Sequence, residues 1–308
     1  MRVWVDGSGR WSGGGNVVLS NLRQAALEHP DVIALLDEPG AVRLVPRNVP
    51  VRLRDLAEPF VWMPQNALPW GPPAPGERRL QLQLRVASEI ARRQARAMVR
   101  ICAVLPASRR NTSPVLHNVL DAGFDAVTDW PTSGSSGAFF ASGSAHSYRK
   151  YDGLLRGYAS YRAGGGRTSL VLQVSPGTPA VQESLRRLSA ADGVQLRPGG
   201  LPRADVVRAM RASRGVLFPS AIEASPVTLL EAVAVGAPTA CNNIDGHRAL
   251  AAPGSAWFDV DDPTTVARAL AALDDSPATS QNPLSDPAVR AEQRSSWAAA
   301  LADFLRAG

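Results

Sequence analysis

The chain has 308 residues, enough for one large domain or two ordinary ones, and its 45% hydrophobic and 19% charged residues exclude a disordered protein. The formal net charge is +6 and the pI about 10.1, with Lys150 the only lysine among 33 basic residues, so the charge is carried by arginine and favours anionic partners. Cys102 and Cys241 lack CxxC spacing, which argues against a disulfide framework or structural zinc; the start MRVWVDGSGR has no signal pattern, and no apolar run reaches the roughly 20 residues of a membrane span, so a cytoplasmic protein is expected.

In chain order, the first half reads as a strand at 3–5, a Gly-rich turn, a helix at 17–27, and strands at 32–36 and 60–63. A long helix at 77–100 follows, then strands at 101–105 and 115–117. In that long helix Val86, Ala87, Ile90, Ala91, Ala95 and Met98 share one face, and Arg85, Glu89, Arg92, Arg93, Arg96 and Arg100 another. The arginine face reads as solvated surface or as a peripheral contact with an acidic membrane at its inner face. No aromatics interleave the arginines, so nucleic acid is not expected as a partner. The polar run PTSGSSG at 131–137 is the best linker candidate.

After it the alternation is cleaner. Strands are predicted at 138–141, 169–174, 194–196, 215–218, 238–241 and 256–259. Helices are predicted at 151–161, 179–188, 204–212, 226–235 and 264–273, then a loop at 275–289 and a final helix at 291–306. Strands regularly separated by helices imply parallel sheets covered on both faces, and two such units leave a cleft faced by the strands' C-terminal ends. The expected division is a short first domain, 1–135, a second domain, 136–290, and a last helix, 291–308, packing back on the first.

The stretch 215–250 carries the chemistry. A buried strand ends in Pro219-Ser220, and a loop presents Glu223. Ser225 is a candidate N-cap with Pro226 at the first helical position. The helix carries Glu231 and stops before Gly236. Its start is a ready anion site, with the N–H groups of Val227 and Thr228 as donors to a diphosphate. Carboxylates only accept hydrogen bonds, so Glu223 and Glu231 suit the neighbouring hydroxyls of a ribose or hexose. By spacing alone, the pair also fits an N-terminal and an exposed helix glutamate.

The order strand, Pro-Ser, Glu223, seven residues, Glu231, then Gly236-Ala-Pro238 resembles the retaining glycosyltransferases of family 4. That resemblance implies the GT-B fold: two Rossmann-like domains with parallel sheets facing an interdomain cleft. It implies that Glu231 binds the nucleotide ribose, that Glu223 lies near the donor sugar, and that Ser225, Pro226, Val227 and Thr228 touch sugar and diphosphate. The stretch Gly143-Ser144 through Arg149-Lys150 to Asp152-Gly-Leu-Leu155 resembles the opening of the family's donor domain, where cations neutralise the leaving diphosphate. Arg149 stands where the family usually has lysine, and Ser144 where many members have arginine. The segment 115–121, with Asn118 and Asp121, resembles the close of the first domain, and Ser296-Trp297 the C-terminal helix.

Gly13-Gly14-Gly15 resembles the family's glycine loop, where only glycine allows close backbone approach. A competing dinucleotide fingerprint, Gly7-x-Gly9 to Gly13 with Asp37 further on, has Ser12 where glycine is wanted. Gln65 and Asn66 stand where members often place an acceptor-loop histidine; they can hydrogen-bond an acceptor but cannot act as a general base. Asp259-Val-Asp261-Asp262-Pro263 is read as a helix start rather than a metal motif, and His29, His117, His146 and His247 have no ligand spacing. No metal and no cofactor are expected. The leading expectation is transfer of a hexose from a nucleotide-diphosphate sugar to an unidentified acceptor hydroxyl with retention, with Glu223, Arg149 and Lys150 at the reacting centre. The alternatives are a catalytically silent relative binding nucleotide sugar or a partner enzyme, and an NAD-type oxidoreductase.

Overall fold

The structure, a computed structural model, describes residues 1–5, 14–35, 41–45, 60–64, 78–95, 97–100, 114–127, 137–175, 179–190, 192–275 and 282–307. The chain divides into two units. The first comprises Met1–Ala126, Glu223–Val227 and Pro287–Gly308, and the second Val127–Ile222 and Thr228–Asp286.

In the first unit β1 (Val3–Val5), β2 (Ile33–Ala34), β3 (Val42–Val45), β4 (Phe60–Trp62) and β5 (Ala97–Met98) form a parallel sheet in the order β2-β1-β3-β4-β5. Helices α1 (Gly14–Glu28), α2 (Arg78–Gln94) and α3 (Ala122–Asp125) belong to this unit. Phe60, Trp62 and Met98 are fully buried with Val45, Ala91 and Ala95. Burying each large apolar side chain contributes about 1.5–3 kcal/mol.

The helix predicted at 77–100 ends six residues early. Past Gln94 the chain extends, Ala97 and Met98 pair with Val61 and Trp62, and the Val99 N–H donates to the Trp62 carbonyl at 3.0 Å. Ala95 and Met98 are both wholly buried, so the apolar spacing read as helical is shared between a helix end and an edge strand. The unpredicted β3 is four residues, broken by half-exposed Arg43, and α3 is a single turn. Of the strands predicted at 101–105 and 115–117, the first lies outside the described residues, as do residues 131–136 of the linker. The second is one parallel bridge, Arg100 to Val115.

The C-terminal helix, Pro287–Ala307 (α10), packs on α1 within this unit. Trp297, Leu301 and Leu305 are buried, and Asp125 receives Arg290 at 2.6 Å and Arg294 at 2.8 Å. The Met1 ammonium donates to the Leu305 carbonyl at 2.7 Å.

The second unit holds β6 (Phe139–Ser144), β7 (Leu170–Ser175), β8 (Val194–Pro198), β9 (Gly215–Phe218), β10 (Thr239–Asn242) and β11 (Ala256–Phe258). They form a parallel sheet in the order β11-β10-β9-β6-β7-β8. Each predicted strand of this half is present. Helices α4 (Tyr151–Ala163), α5 (Pro179–Leu188), α6 (Arg203–Ala212), α7 (Val227–Ala234), α8 (Asp245–Arg248) and α9 (Pro263–Asp275) connect them, and short α8 was not predicted. Parallel strands buried on both faces read as nearly continuous apolar runs, as in β7 and β9. Helices α4 and α9 lie against each other because Gly157 has no side chain: a Cβ there would stand 2.3 Å from the Val266 Cβ.

Candidate functional site

Strand order in the second sheet reverses between β6 and β9. From β6 the chain moves outward through β7 and β8, then returns to lay β9 on the other side of β6. In open parallel sheets the crevice beyond the strands' C-terminal ends at such a reversal is where ligands bind. Here β6 ends in Gly143-Ser144 and β9 is followed by Pro219-Ser220. A Cβ on Gly143 would stand 2.5 Å from the Tyr151 hydroxyl, and its φ is +155°, so glycine is needed there on two counts.

A short 3-10 turn, Ser147–Arg149, leaves β6 and leads through Lys150 into α4. It is tied across the reversal. The Ala221 N–H donates to the Tyr148 carbonyl at 2.8 Å, and the Arg149 Nη1 donates to the Ser220 Oγ at 3.2 Å. The Arg149 guanidinium also lies 5.2 Å over the Tyr148 ring. Buried Asn242, at the end of β10, donates from Nδ2 to the Ser220 carbonyl at 3.1 Å, and its Oδ1 accepts the Val260 N–H at 3.1 Å. The His247 ring, wholly buried, has Nδ1 2.8 Å from the Asn242 carbonyl and lies edge-on to Phe218. The three strand ends are therefore one hydrogen-bonded assembly holding Arg149.

Lys150 does not share that position. Its φ is +53°, the left-handed region, and its Nζ pairs with the Asp261 Oδ1 at 2.9 Å. The acidic run at Asp259–Asp262 is consumed locally. Asp262 Oδ1 accepts the Thr264 N–H at 2.9 Å, as a helix cap does, and Asp259 Oδ1 accepts the Asp261 N–H at 3.0 Å. Among the described residues no three His, Cys, Asp or Glu side chains gather as a metal site.

Glu231 lies one turn into α7, buried at 6% exposure. Arg203, the first residue of α6, donates from Nε to the Glu231 Oε1 at 2.5 Å. Val227 and Thr228 are the first two residues of α7, directly after Pro226. The preceding segment, Glu223–Val227, groups with the first unit, where Asn118 holds it. The Asn118 N–H donates to the Ser225 Oγ at 2.9 Å, and its Nδ2 to the Ser225 carbonyl at 2.9 Å. Ser225 and Pro226 are buried, while Glu223 and Thr228 are half-buried.

Gly14 and Gly15 form the first turn of α1 rather than a loop, because that helix begins three residues earlier than its apolar pattern. Gly13, Gln65, Asn66 and the glycines at 7 and 9 lie outside the described residues. Sequence reasoning missed Ser220 and Asn242 as parts of the assembly around Arg149, and Arg203 as the partner of Glu231. Arg203 carried the clearest signal: a lone cation after Gly-Gly-Leu-Pro, where a strand end gives way to a helix.

The family model for glycosyl transferases group 1 matches residues 179–285, a stretch that contains both Glu223 and Glu231 and begins after Lys150. No curated protein matches the chain in sequence. Solved structures match nearly its whole length. An α,α-trehalose-phosphate synthase (UDP-forming) from Burkholderia vietnamiensis aligns over 97% of this chain and 81% of its own, at 13% identity and TM-score 0.64. The Burkholderia xenovorans enzyme of that name, in complex with glucose-6-phosphate, aligns over 95% and 78%, at 12% identity and TM-score 0.66. The N-terminal domain of Candida albicans trehalose-6-phosphate phosphatase aligns over 97% and 77%, at 12% identity and TM-score 0.56. At these identities the likeness is one of fold, and the fold is GT-B.

Proposed function

We propose, from the premise that residues 179–285 are a glycosyl transferases group 1 domain in a chain of GT-B fold, that the protein is a retaining transferase moving a hexose from a nucleotide-diphosphate sugar to an acceptor hydroxyl. The observation that carries the reading is the placing of Arg149 across the β6–β9 reversal, where a diphosphate would meet it. In this reading Arg149 holds the diphosphate with the Val227 and Thr228 N–H groups, Glu231 accepts from the ribose hydroxyls, and Glu223 accepts from the sugar. Gly143 and Ser144 give the diphosphate its close approach. The bond from sugar C1 to the phosphate oxygen breaks as the acceptor oxygen bonds to C1 on the same face, and the departing phosphate takes the acceptor proton. Concentrated positive charge on the leaving oxygens is the main electrostatic contribution.

Membership of family 4 within the group belongs to the same proposal. The acceptor is a glycan, a lipid-linked or small-molecule hydroxyl; the trehalose-phosphate synthases add sugar phosphates to the candidates. Helix α2 supports a peripheral contact with an acidic membrane, since Leu82, Val86 and Ile90 are exposed along it beside Arg85 and Arg93. The Lys150–Asp261 pair favours a second reading, a silent relative that binds donor without turning it over, because one expected phosphate cation meets a carboxylate outside the Arg149 assembly.

The test is a thermal-shift panel of UDP, GDP and ADP with their hexose conjugates. A ligand at 100 times its Kd stabilises by about 2.7 kcal/mol. The best ligand is expected to lose its shift in Glu231→Ala; an unchanged shift in that variant, or no shift in the wild type, overturns the reading. Labelled donor with lipid, glycan and sugar-phosphate acceptors then separates turnover from silent binding.

A further inference from the structure

Glu231 is the only ionisable residue on α7, and it is buried. A buried carboxylate stays charged only when paired; otherwise burial drives it to the neutral form. The strands beside α7, β9 and β10, bring one titratable group, the Cys241 thiol. Helix α6 brings Arg203, Asp205, Arg208 and Arg211. Asp205 and Arg208 pair with each other, and the Arg211 Nη1 donates to the Val235 carbonyl. Arg203 is the group of α6 that meets the Glu231 carboxylate, through Nε at 2.5 Å.

The approach to Arg203 is fixed by backbone. The Gly199 N–H donates to the Val174 carbonyl at 2.9 Å, which ties the loop after β8 to the end of β7. Pro202 then sets the entry to α6, and its carbonyl accepts the Asp205 N–H at 3.0 Å. The Arg203 side chain is 30% exposed and that of Glu231 8%, so the guanidinium spans from the surface to the buried carboxylate.

We propose that Arg203 is a positioning residue for the nucleoside end of the donor. Its guanidinium favours the charged form of Glu231 and holds the carboxylate's orientation, so that the ribose diol meets a charged acceptor whose direction is set before binding. An acceptor oriented beforehand loses less freedom on binding, and a charged one makes the stronger hydrogen bond. The inference rests on the assignment of Glu231 to the ribose.

The experiment is calorimetric titration at pH 6 and pH 8 with whichever of UDP, GDP and ADP ranks first in the panel. The proteins are the wild type, Arg203→Met, Arg203→Lys, Glu231→Gln and the double variant R203M/E231Q. Arg203→Met is expected to weaken binding about tenfold at pH 8, one lost charged contact's worth. It should weaken it further at pH 6, because a Glu231 that has lost the Arg203 charge takes up a proton more readily as pH falls. Wild type and Glu231→Gln should show no such added loss, and Arg203→Lys should recover most of the affinity. The double variant is expected to bind as Glu231→Gln does, since the two residues act as one unit. Removing both charges together leaves no buried carboxylate deprived of its guanidinium, so the double variant keeps the comparison available if Arg203→Met fails to fold. Additive losses in the double variant, or wild-type affinity in Arg203→Met at both pH values, overturn the positioning role alone. Wild-type affinity in Glu231→Gln overturns the ribose assignment beneath it.

Discussion

Arg149 and Lys150 are adjacent in sequence but meet different partners, Ser220 for the first and Asp261 for the second. Lys150 holds a left-handed backbone that costs a non-glycine residue about 1–2 kcal/mol, and its ion pair is exposed enough to be worth about 0–1 kcal/mol. Lys150→Gly is therefore expected to leave thermal stability within about 1 kcal/mol of wild type and nucleoside diphosphate affinity within about threefold. Arg149→Ala is expected to weaken that affinity at least about tenfold, the scale of a lost charged hydrogen bond. Comparable losses in both variants would return Lys150 to the phosphate site. The pair shows how far the site was legible: the motif located both cations, but no sequence pattern says that a lysine will take the left-handed turn and hand its ammonium to a residue 111 positions away. The partner of Arg203 was hidden for a similar reason, since its pairing with Glu231 spans 28 positions and joins two helices. A third residue gives an expectation independent of ligand. Burial raises the Cys241 thiol from its usual 9.0 up to about 12. The raised value stabilises the fold fully below pH 9, and that contribution is lost as pH rises from 9 through 12. Native protein at pH 8 should resist alkylation by iodoacetamide at Cys241 and react there only once unfolded, as mass spectrometry of the Cys241 peptide would report.

Elements were legible where the chain repeats a strand–helix rhythm and illegible where an element is short or borrows its neighbour's periodicity. In the second sheet β7 and β9 are buried almost throughout and announced themselves as apolar runs between helices, while the exposed β8 and the part-exposed β11 were read from the strand–helix rhythm. Strand β3 has four residues with an arginine inside it, and β5 continues the helical spacing of α2, so neither could be separated from its surroundings without its sheet partners. Packing of α4 on α9 depends on one absent side chain. Gly157→Ala would set a methyl group 2.3 Å from the Val266 Cβ, too close for rotamer change to absorb. The helices must part, and overpacking of this kind costs about 1–3 kcal/mol, set against at most about 1 kcal/mol gained from helix propensity. A net fall in melting temperature is expected; a rise would mean that the helices part at no cost. On α2 the exposed Leu82, Val86 and Ile90, at 63%, 53% and 37%, repeat every four residues, and Glu89 is occupied by Arg92 and Arg93. Such a stripe with arginines at its flanks suits the headgroup boundary of an anionic bilayer. The protein is expected to sediment with phosphatidylglycerol vesicles at low salt and not with phosphatidylcholine ones, and to lose that binding in Val86→Gln/Ile90→Gln. Equal indifference to both lipids ends the membrane reading.

At the scale of the molecule, the chain leaves the second unit at Asp286 and ends in a helix that belongs to the first. Helix α10 brings Trp297, Leu301 and Leu305 into that unit's interior, and its Arg290 and Arg294 both reach Asp125 of α3. Each lost buried side chain of this size costs about 2–5 kcal/mol, and a domain's whole stability is about 5–15 kcal/mol. Truncation after Asp286 should therefore unfold the first unit while sparing the second, whose sheet and core are complete without α10. Calorimetry of the truncated chain is expected to keep one cooperative transition, with the enthalpy of about half the residues. Arg149, Arg203 and Glu231 all lie in the surviving unit, so the nucleoside diphosphate should still raise that transition, though less than in the full chain, because the Glu223–Val227 segment loses the unit that holds Ser225 through Asn118. A truncated chain that melts as the full one does would show that α10 contributes little to the first unit. One that loses its transition altogether would show that the two units fold only together.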